Sequence, residues 1–209
     1  MKNVLLFGDS IRQGYDKSTK KTLEGIANVY FPSDNCKFAS ELLQFLADEK
    51  FVENEKVDVV HWNAGLWDCL FLFYEEEPHA PIEIYKYYIE RICKRIKIMY
   101  PNAKGIFATS VRVQSEKMPK DGIRYNEDIE KYNAAAVEIV KKYGFEVNDL
   151  YALSATLPPE AHSDFTHYYT PMGTEAFTNQ VLHYIGEALD LKKIPEYKED
   201  LYTHKPIGF

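Results

Sequence analysis

The chain has 209 residues, a formal net charge of −7 at pH 7, 45% hydrophobic residues and 27% charged ones. That balance excludes a collagen, a disulfide-rich miniprotein and a wholly disordered chain, and at roughly 100–200 residues per domain it fits one domain with a substantial core. The acidic surplus argues against a broad phosphate-binding surface and so against a nucleic-acid partner, while leaving room for a local basic pocket.

Residues 2–7 form a short apolar run that ends in Gly8-Asp9-Ser10, the pattern of a buried strand entering a loop. A less regular strand pattern covers residues 28–31. Residues 37–51 carry Phe38, Leu42, Leu43, Phe45 and Leu46 at helical spacing. Residues 57–62 are again strand-like and stop at Asn63-Ala64-Gly65. Residues 81–99 predict a helix, with Pro81 near its first turn and Ile82, Tyr85, Ile89, Ile92 and Ile96 along one face. Residues 104–109 predict a strand. Residues 126–143 predict a helix capped by Asn126 and stopped at Gly144. Residues 145–150 predict a strand, and residues 171–191 a last long helix with Thr170 as its N-cap.

Strands alternating with helices of this length imply parallel β-α-β units and a three-layer α/β/α sandwich around a mainly parallel sheet. Ligands in such sheets sit beyond the carboxyl ends of the strands. The polar clusters Gly8-Asp9-Ser10, Asn63-Ala64-Gly65 and Thr109-Ser110 fall at those ends. Residues 1–191 are expected to be one domain, and residues 192–209 a tail packed on it or on a neighbour. The cysteines Cys36, Cys69 and Cys93 are odd in number and widely spaced, the pattern of buried reduced thiols and not of a disulfide framework or zinc site. No run approaches a membrane span or a secretory signal. A soluble, cytoplasmic protein is expected.

Ser10 follows a buried strand through a glycine that allows a tight turn, so its hydroxyl falls at the rim, where a backbone amide could meet an oxyanion. The alternative is a serine that only caps a turn. A serine nucleophile needs a base, usually a histidine. Of the six histidines, His61 lies in a strand, His79 in an acidic loop, His183 in the last helix and His204 in the tail. His167 has Asp164 three residues earlier, a spacing that in a tight turn brings a carboxylate to the imidazole. His162 is the competing base. Arg12 and Arg112 each either face a ligand or pair with an acid, and Glu75-Glu76-Glu77 reads as a solvated charge run.

Gly8-Asp9-Ser10-Ile11 and Asp164-Phe165-Thr166-His167 resemble the first and last sequence blocks of the SGNH (GDSL-type) hydrolases, and 168–173 resembles the turn by which that family enters its last helix. The blocks lie near both ends, so the resemblance spans most of the chain. It implies a flavodoxin-like α/β/α fold and a metal-free, cofactor-free esterase or acylhydrolase, with Ser10 as nucleophile, His167 as general base and acid, Asp164 as its orienting carboxylate and Asp9 as a structural residue. The middle blocks depart from the family pattern. Trp67 in Gly65-Leu66-Trp67-Asp68 stands where the family has its oxyanion asparagine, and no glycine marks the second block within 32–36. Asn63, Asn35 and Gly65 are therefore the candidate oxyanion residues, with loop-capping as the other reading of both asparagines. Arg12 and Trp67 are candidate substrate contacts. The implied reaction is hydrolysis of a small acyl ester, such as an O-acetyl carbohydrate, through an acyl-enzyme. A thioesterase or lipase-type acylhydrolase and a catalytically silent ligand-binding module are the alternatives.

Overall fold

A computed structural model describes residues 1–198. Five strands, β1 (Lys2–Phe7), β2 (Ala27–Tyr30), β3 (Val59–Trp62), β5 (Lys104–Ala108) and β7 (Glu146–Asn148), form one parallel sheet in the order β2-β1-β3-β5-β7. Register is set by pairs such as Leu6 with His61 and Trp62 with Phe107. The inner strands are buried on both faces, which explains their near-continuous apolar runs.

The chain steps outward from β1 to β2, then crosses back to β3 and continues through β5 to β7. Because such crossovers are right-handed, helices on the two legs fall on opposite faces. α2 (Asp16–Thr22) packs with α7 (Pro171–Ala188) on one face, while α3 (Ala39–Asp48), α4 (Ile82–Met99) and α5 (Asn126–Lys142) lie side by side on the other. The change of direction between β1 and β3 opens a crevice at their carboxyl ends. Short helices α1 (Ser10–Gln13) and α6 (Leu150–Thr156) follow β1 and β7, and a small antiparallel ribbon joins β4 (Phe71–Leu72) to β6 (Gly122–Ile123).

The long helices bury the faces their periodicity predicts: Leu42, Leu43 and Leu46 of α3, and Tyr85, Ile89, Ile92 and Ile96 of α4. Several boundaries differ. Pro81 is the N-cap of α4, outside its first turn. Leu150 opens α6 instead of ending a strand, because the Asp149 carboxylate accepts the Ala152 N–H at 3.0 Å and starts a helix. Asn126 is the first residue of α5 and not its cap: its side chain both accepts from Val113 N and donates to Val113 O, each at 3.0 Å. Asn133, two turns on, does the same at Ser110, with distances of 2.8 and 2.9 Å. These two amides bind the segment after β5 to α5. Thr170 does cap α7, accepting from Gly173 N at 3.2 Å.

Past α7, Tyr197 is buried and exchanges two hydrogen bonds with the Asn179 side chain. The rest of the expected tail, residues 199–209 with His204, lies outside the described residues. Among the described residues no helix is long and apolar enough to cross a membrane.

Candidate active site

β1 delivers the chain to Gly8, whose φ of +155° no ordinary residue adopts easily. Asp9 then caps α1, accepting from Ile11 N at 2.9 Å, so that Ser10 opens the helix with its side chain at the crevice. The Asp9 carboxylate also accepts from Asn63 Nδ2 at 2.8 Å, which ties the end of β1 to the end of β3. Burial raises the Asp9 pKa, and the bonds from Asn63 and Ile11 oppose that rise.

The other half of the site is the turn before α7. Asp164 Oδ1 accepts the backbone N–H groups of Thr166 and His167 at 2.7 and 2.8 Å, and Oδ2 lies 2.7 Å from His167 Nδ1. His167 Nε2 lies 2.8 Å from Ser10 Oγ. Burial acts to raise the Asp164 pKa, but the bonds from His167 and Thr166 outweigh it and hold the carboxyl at about 2. An ionised carboxylate only accepts, so Nδ1 carries the proton and Nε2 is left to accept the Ser10 O–H. The Tyr169 ring stacks on His167, with centroids 4.7 Å apart, and its hydroxyl donates to Ser10 O at 2.5 Å. Tyr169 therefore braces base and serine together.

Ser10, Asp164 and His167 line a cavity of about 500 Å³ shared with Asn35, Trp67 and Arg124, and walled by Leu66, Leu70, Leu72 and Phe165. A second cavity of about 460 Å³ beside β2 carries Lys17, Lys20 and Lys21 but none of these three residues.

Solved structures share this architecture. A lipase/acylhydrolase from Enterococcus faecalis superposes with TM-score 0.69 at 21% identity, covering 90% of this chain and 96% of its own. A GDSL-like lipase from Bacteroides thetaiotaomicron gives 0.67 at 17%, covering 90% and 89%. The acetylxylan esterase Axe2 from Geobacillus stearothermophilus gives 0.68 at 16%, covering 88% and 94%. The fold is that of the SGNH hydrolases. No family model matches the chain, and no curated protein matches it in sequence.

Within the SGNH fold, the structure separates residues that the sequence had grouped. Asn63 does not line the cavity: its amide is spent on Asp9, and its Oδ1 packs against Gly8. Gly65 does not line the cavity either, and a Cβ there would fall 2.6 Å from Ser110 Oγ and 3.2 Å from Tyr85 Oη. Asn35 does line the cavity, but its carbonyl oxygen accepts from Lys37 N at 2.8 Å and shapes a turn. Arg12 is no substrate contact. It is fully buried, pairs with Asp16, and donates to Pro32 O at 2.9 Å and Asp34 O at 2.6 Å. It thereby holds the 32–36 loop, from which Cys36 N reaches Gly8 O at 3.1 Å. Arg112 is exposed and holds the site only through its backbone, where its carbonyl accepts from Tyr168 Oη at 2.9 Å.

Trp67 lines the cavity, edge-on to Phe38. His162 stacks over Tyr168 instead of reaching Ser10, and burial lowers its pKa. His61 is a core residue hydrogen-bonded to Asn148, its pKa pushed down to about 3 by burial. Two residues at the site had no sequence signal of their own: Tyr169, which bonds to Ser10 O, and Arg124, which the β4–β6 ribbon carries to the cavity from far along the chain.

A Cβ on Gly8 would fall 1.9 Å from Asn63 Oδ1 and 3.0 Å from Arg12 Cβ. Both neighbours are buried and fixed by their own bonds. Gly8→Ala is therefore expected to destabilise the fold by about 2–4 kcal/mol, read as a lowered denaturant midpoint with unchanged slope.

Asp68 is buried and both its oxygens face Ala39 N at the start of α3, at 3.2 and 3.1 Å. Burial pushes its carboxyl up to about 7. The folded state holds this proton more tightly than the unfolded chain, whose carboxyl titrates near ~4. The stability it contributes is full below that value and is lost as pH rises through the folded pKa. Asp68→Asn removes this dependence, so melting at about pH 5 and about pH 8 should shift in favour of the variant at the higher pH.

Proposed function

We propose that this chain is an SGNH-family serine hydrolase that cleaves a small acyl ester through an acyl-enzyme. The observation that carries this reading is the continuous hydrogen-bonded line from Asp164 through His167 to Ser10, opening on a cavity of about 500 Å³. That volume suits a small-molecule site, and its apolar walls suit an acyl group. Ser10 Oγ attacks the ester carbonyl as its proton passes to His167 Nε2, giving a tetrahedral intermediate and an imidazolium paired with Asp164. The imidazolium then protonates the leaving alcohol as the C–O bond breaks. Water, deprotonated by His167, attacks the acyl-enzyme, and collapse of the second intermediate returns the proton to Ser10 and releases the acid.

Asp9, Asn63, Arg12 and Tyr169 hold the Ser10 loop and the imidazole in this arrangement. The folds shared with the acetylxylan esterase and the lipases support ester chemistry, and an O-acetylated carbohydrate is our preferred substrate class. The three free, buried cysteines support work in a reducing compartment such as the cytoplasm.

The test is covalent capture with a fluorophosphonate, followed by a panel of p-nitrophenyl esters of increasing chain length. The expected result is one phosphonyl group per chain on the Ser10 peptide, and hydrolysis fastest with acetate. No adduct and only background hydrolysis would overturn the reading in favour of a ligand-binding module. A maximum at long chains would move it to a lipase or thioesterase.

A further inference from the structure

Attack by Ser10 turns the carbonyl oxygen into an anion, which needs donors at about 2.7–3.1 Å. Of the residues expected to supply them, Asn63 and Gly65 do not line the cavity, and Asn63 donates to Asp9. Asn35 does line it, and its oxygen closes a turn while its Nδ2 remains a neutral donor. The cavity wall holds one strong donor of a different kind. Arg124 directly follows β6 and is only 8% exposed, yet it borders the same cavity as Ser10 and His167.

Its setting is that of a fixed cation awaiting an anion. Arg124 Nε donates to Leu66 O, and the guanidinium carbon stands 5.8 Å from the centre of the Trp67 ring. One hydrogen bond and one aromatic face thus hold the guanidinium plane. Among the described residues no carboxylate lies within 4.0 Å of the guanidinium, and its two terminal nitrogens make no hydrogen bond. The terminal nitrogens are the part of this otherwise buried side chain that stays open to the cavity, so they are placed to meet a ligand there.

The charge balance of the cavity favours an anion that forms during the reaction. Asp164 already borders the cavity and would repel a carboxylate brought in by the substrate. Proton transfer from Ser10 to His167 instead creates an oxyanion together with an imidazolium that neutralises Asp164. The new negative charge is then left to the guanidinium.

We propose that the terminal N–H groups of Arg124 bind the oxyanion formed in attack by Ser10, making Arg124 a catalytic residue. This rests on the serine-hydrolase reading above. Arginine does the work here that a neutral side-chain amide does elsewhere in acyl transfer, and Leu66 and Trp67 aim it.

The test compares wild type with Arg124→Gln, Arg124→Lys and Arg124→Ala, using a neutral acetate ester and a carboxylate-bearing one. Fluorophosphonate capture is run on the same samples. The expected loss for Arg124→Gln is about 10²–10³-fold in kcat on both esters, with KM changed only a few-fold and slower capture at Ser10. Arg124→Lys should recover part of the rate. Added guanidinium ion, below denaturing concentration, should partly restore Arg124→Ala.

A rise in KM confined to the carboxylate-bearing ester would overturn the proposal and make Arg124 a substrate-charge reader. Equal loss in all variants, with lowered melting temperatures and no rescue, would overturn it in favour of a structural role. Capture at the wild-type rate in Arg124→Gln would refute the Arg124 assignment alone, whereas no capture in wild type would refute the serine-hydrolase reading and this proposal with it.

Discussion

Ser10→Ala is expected to lower kcat for p-nitrophenyl acetate by about 10⁴–10⁶-fold while leaving a folded protein. The size follows from losing the covalent route, since water would have to attack unaided by an acyl-enzyme. What survives is the rate supplied by the cavity and its donors. Stability should change by less than about 1 kcal/mol, because the hydroxyl removed borders the cavity and His167 Nε2 can turn to water there. Unchanged melting with lost turnover and lost fluorophosphonate capture would separate chemistry from misfolding. Equal turnover in the two proteins would remove Ser10 from the reaction.

The sheet and the long helices were legible because burial wrote itself into apolar residues. β1 and β3 are covered on both faces and read as continuous hydrophobic runs. α3 and α4 are covered on one face and read at helical spacing. α2 left no such mark, because its buried residues are Asp16, Ser18 and Thr19. Two of them take polar partners instead of apolar packing: Asp16 pairs with Arg12, and Ser18 meets the Thr178 hydroxyl at 2.7 Å. The β4–β6 ribbon escaped for another reason. Each strand has two residues, and they meet only after α4 and β5 have been threaded between them.

The same distinction divides the site. Asp164 and His167 sit in one tight turn, so their spacing carried their geometry. Ser10 was legible from its position just past a buried strand. Asn63 was placed at the correct end of the sheet, but being at a strand end does not fix which way an amide faces. Here the Asp9 carboxylate captured it, and the absent Cβ of Gly8 left the room. Arg12 is two residues past Ser10 in sequence but is committed to Asp16 and the 32–36 loop in space. Arg124 reaches the cavity through the ribbon that the sequence did not disclose, so the arginine of the cavity wall was also the least visible of its polar residues. Local chemistry was readable, and long-range delivery of a side chain was not.

Asp164→Asn is expected to reduce kcat by about 10⁴-fold with the cavity geometry intact. Asparagine can still accept the Thr166 and His167 N–H groups through its oxygen. Its amide then meets His167 Nδ1 as a donor facing a donor, and the ring relieves the clash by moving its proton to Nε2. That tautomer donates toward Ser10 Oγ and has no lone pair to take the serine proton, and no anion remains to stabilise the imidazolium. The same substitution has a second, independent signature. In the folded chain the Asp164 carboxyl is held at about 2, below the ~4 of an unfolded chain. Its contribution to stability is present above the unfolded value and is lost as pH falls through the folded one. Wild type should therefore lose stability between about pH 4 and about pH 2 more steeply than Asp164→Asn, measured as unfolding midpoints across that window. Parallel acid limbs with kcat unchanged would mean that the 2.7 Å contact between Asp164 and His167 neither holds the charge nor sets the tautomer.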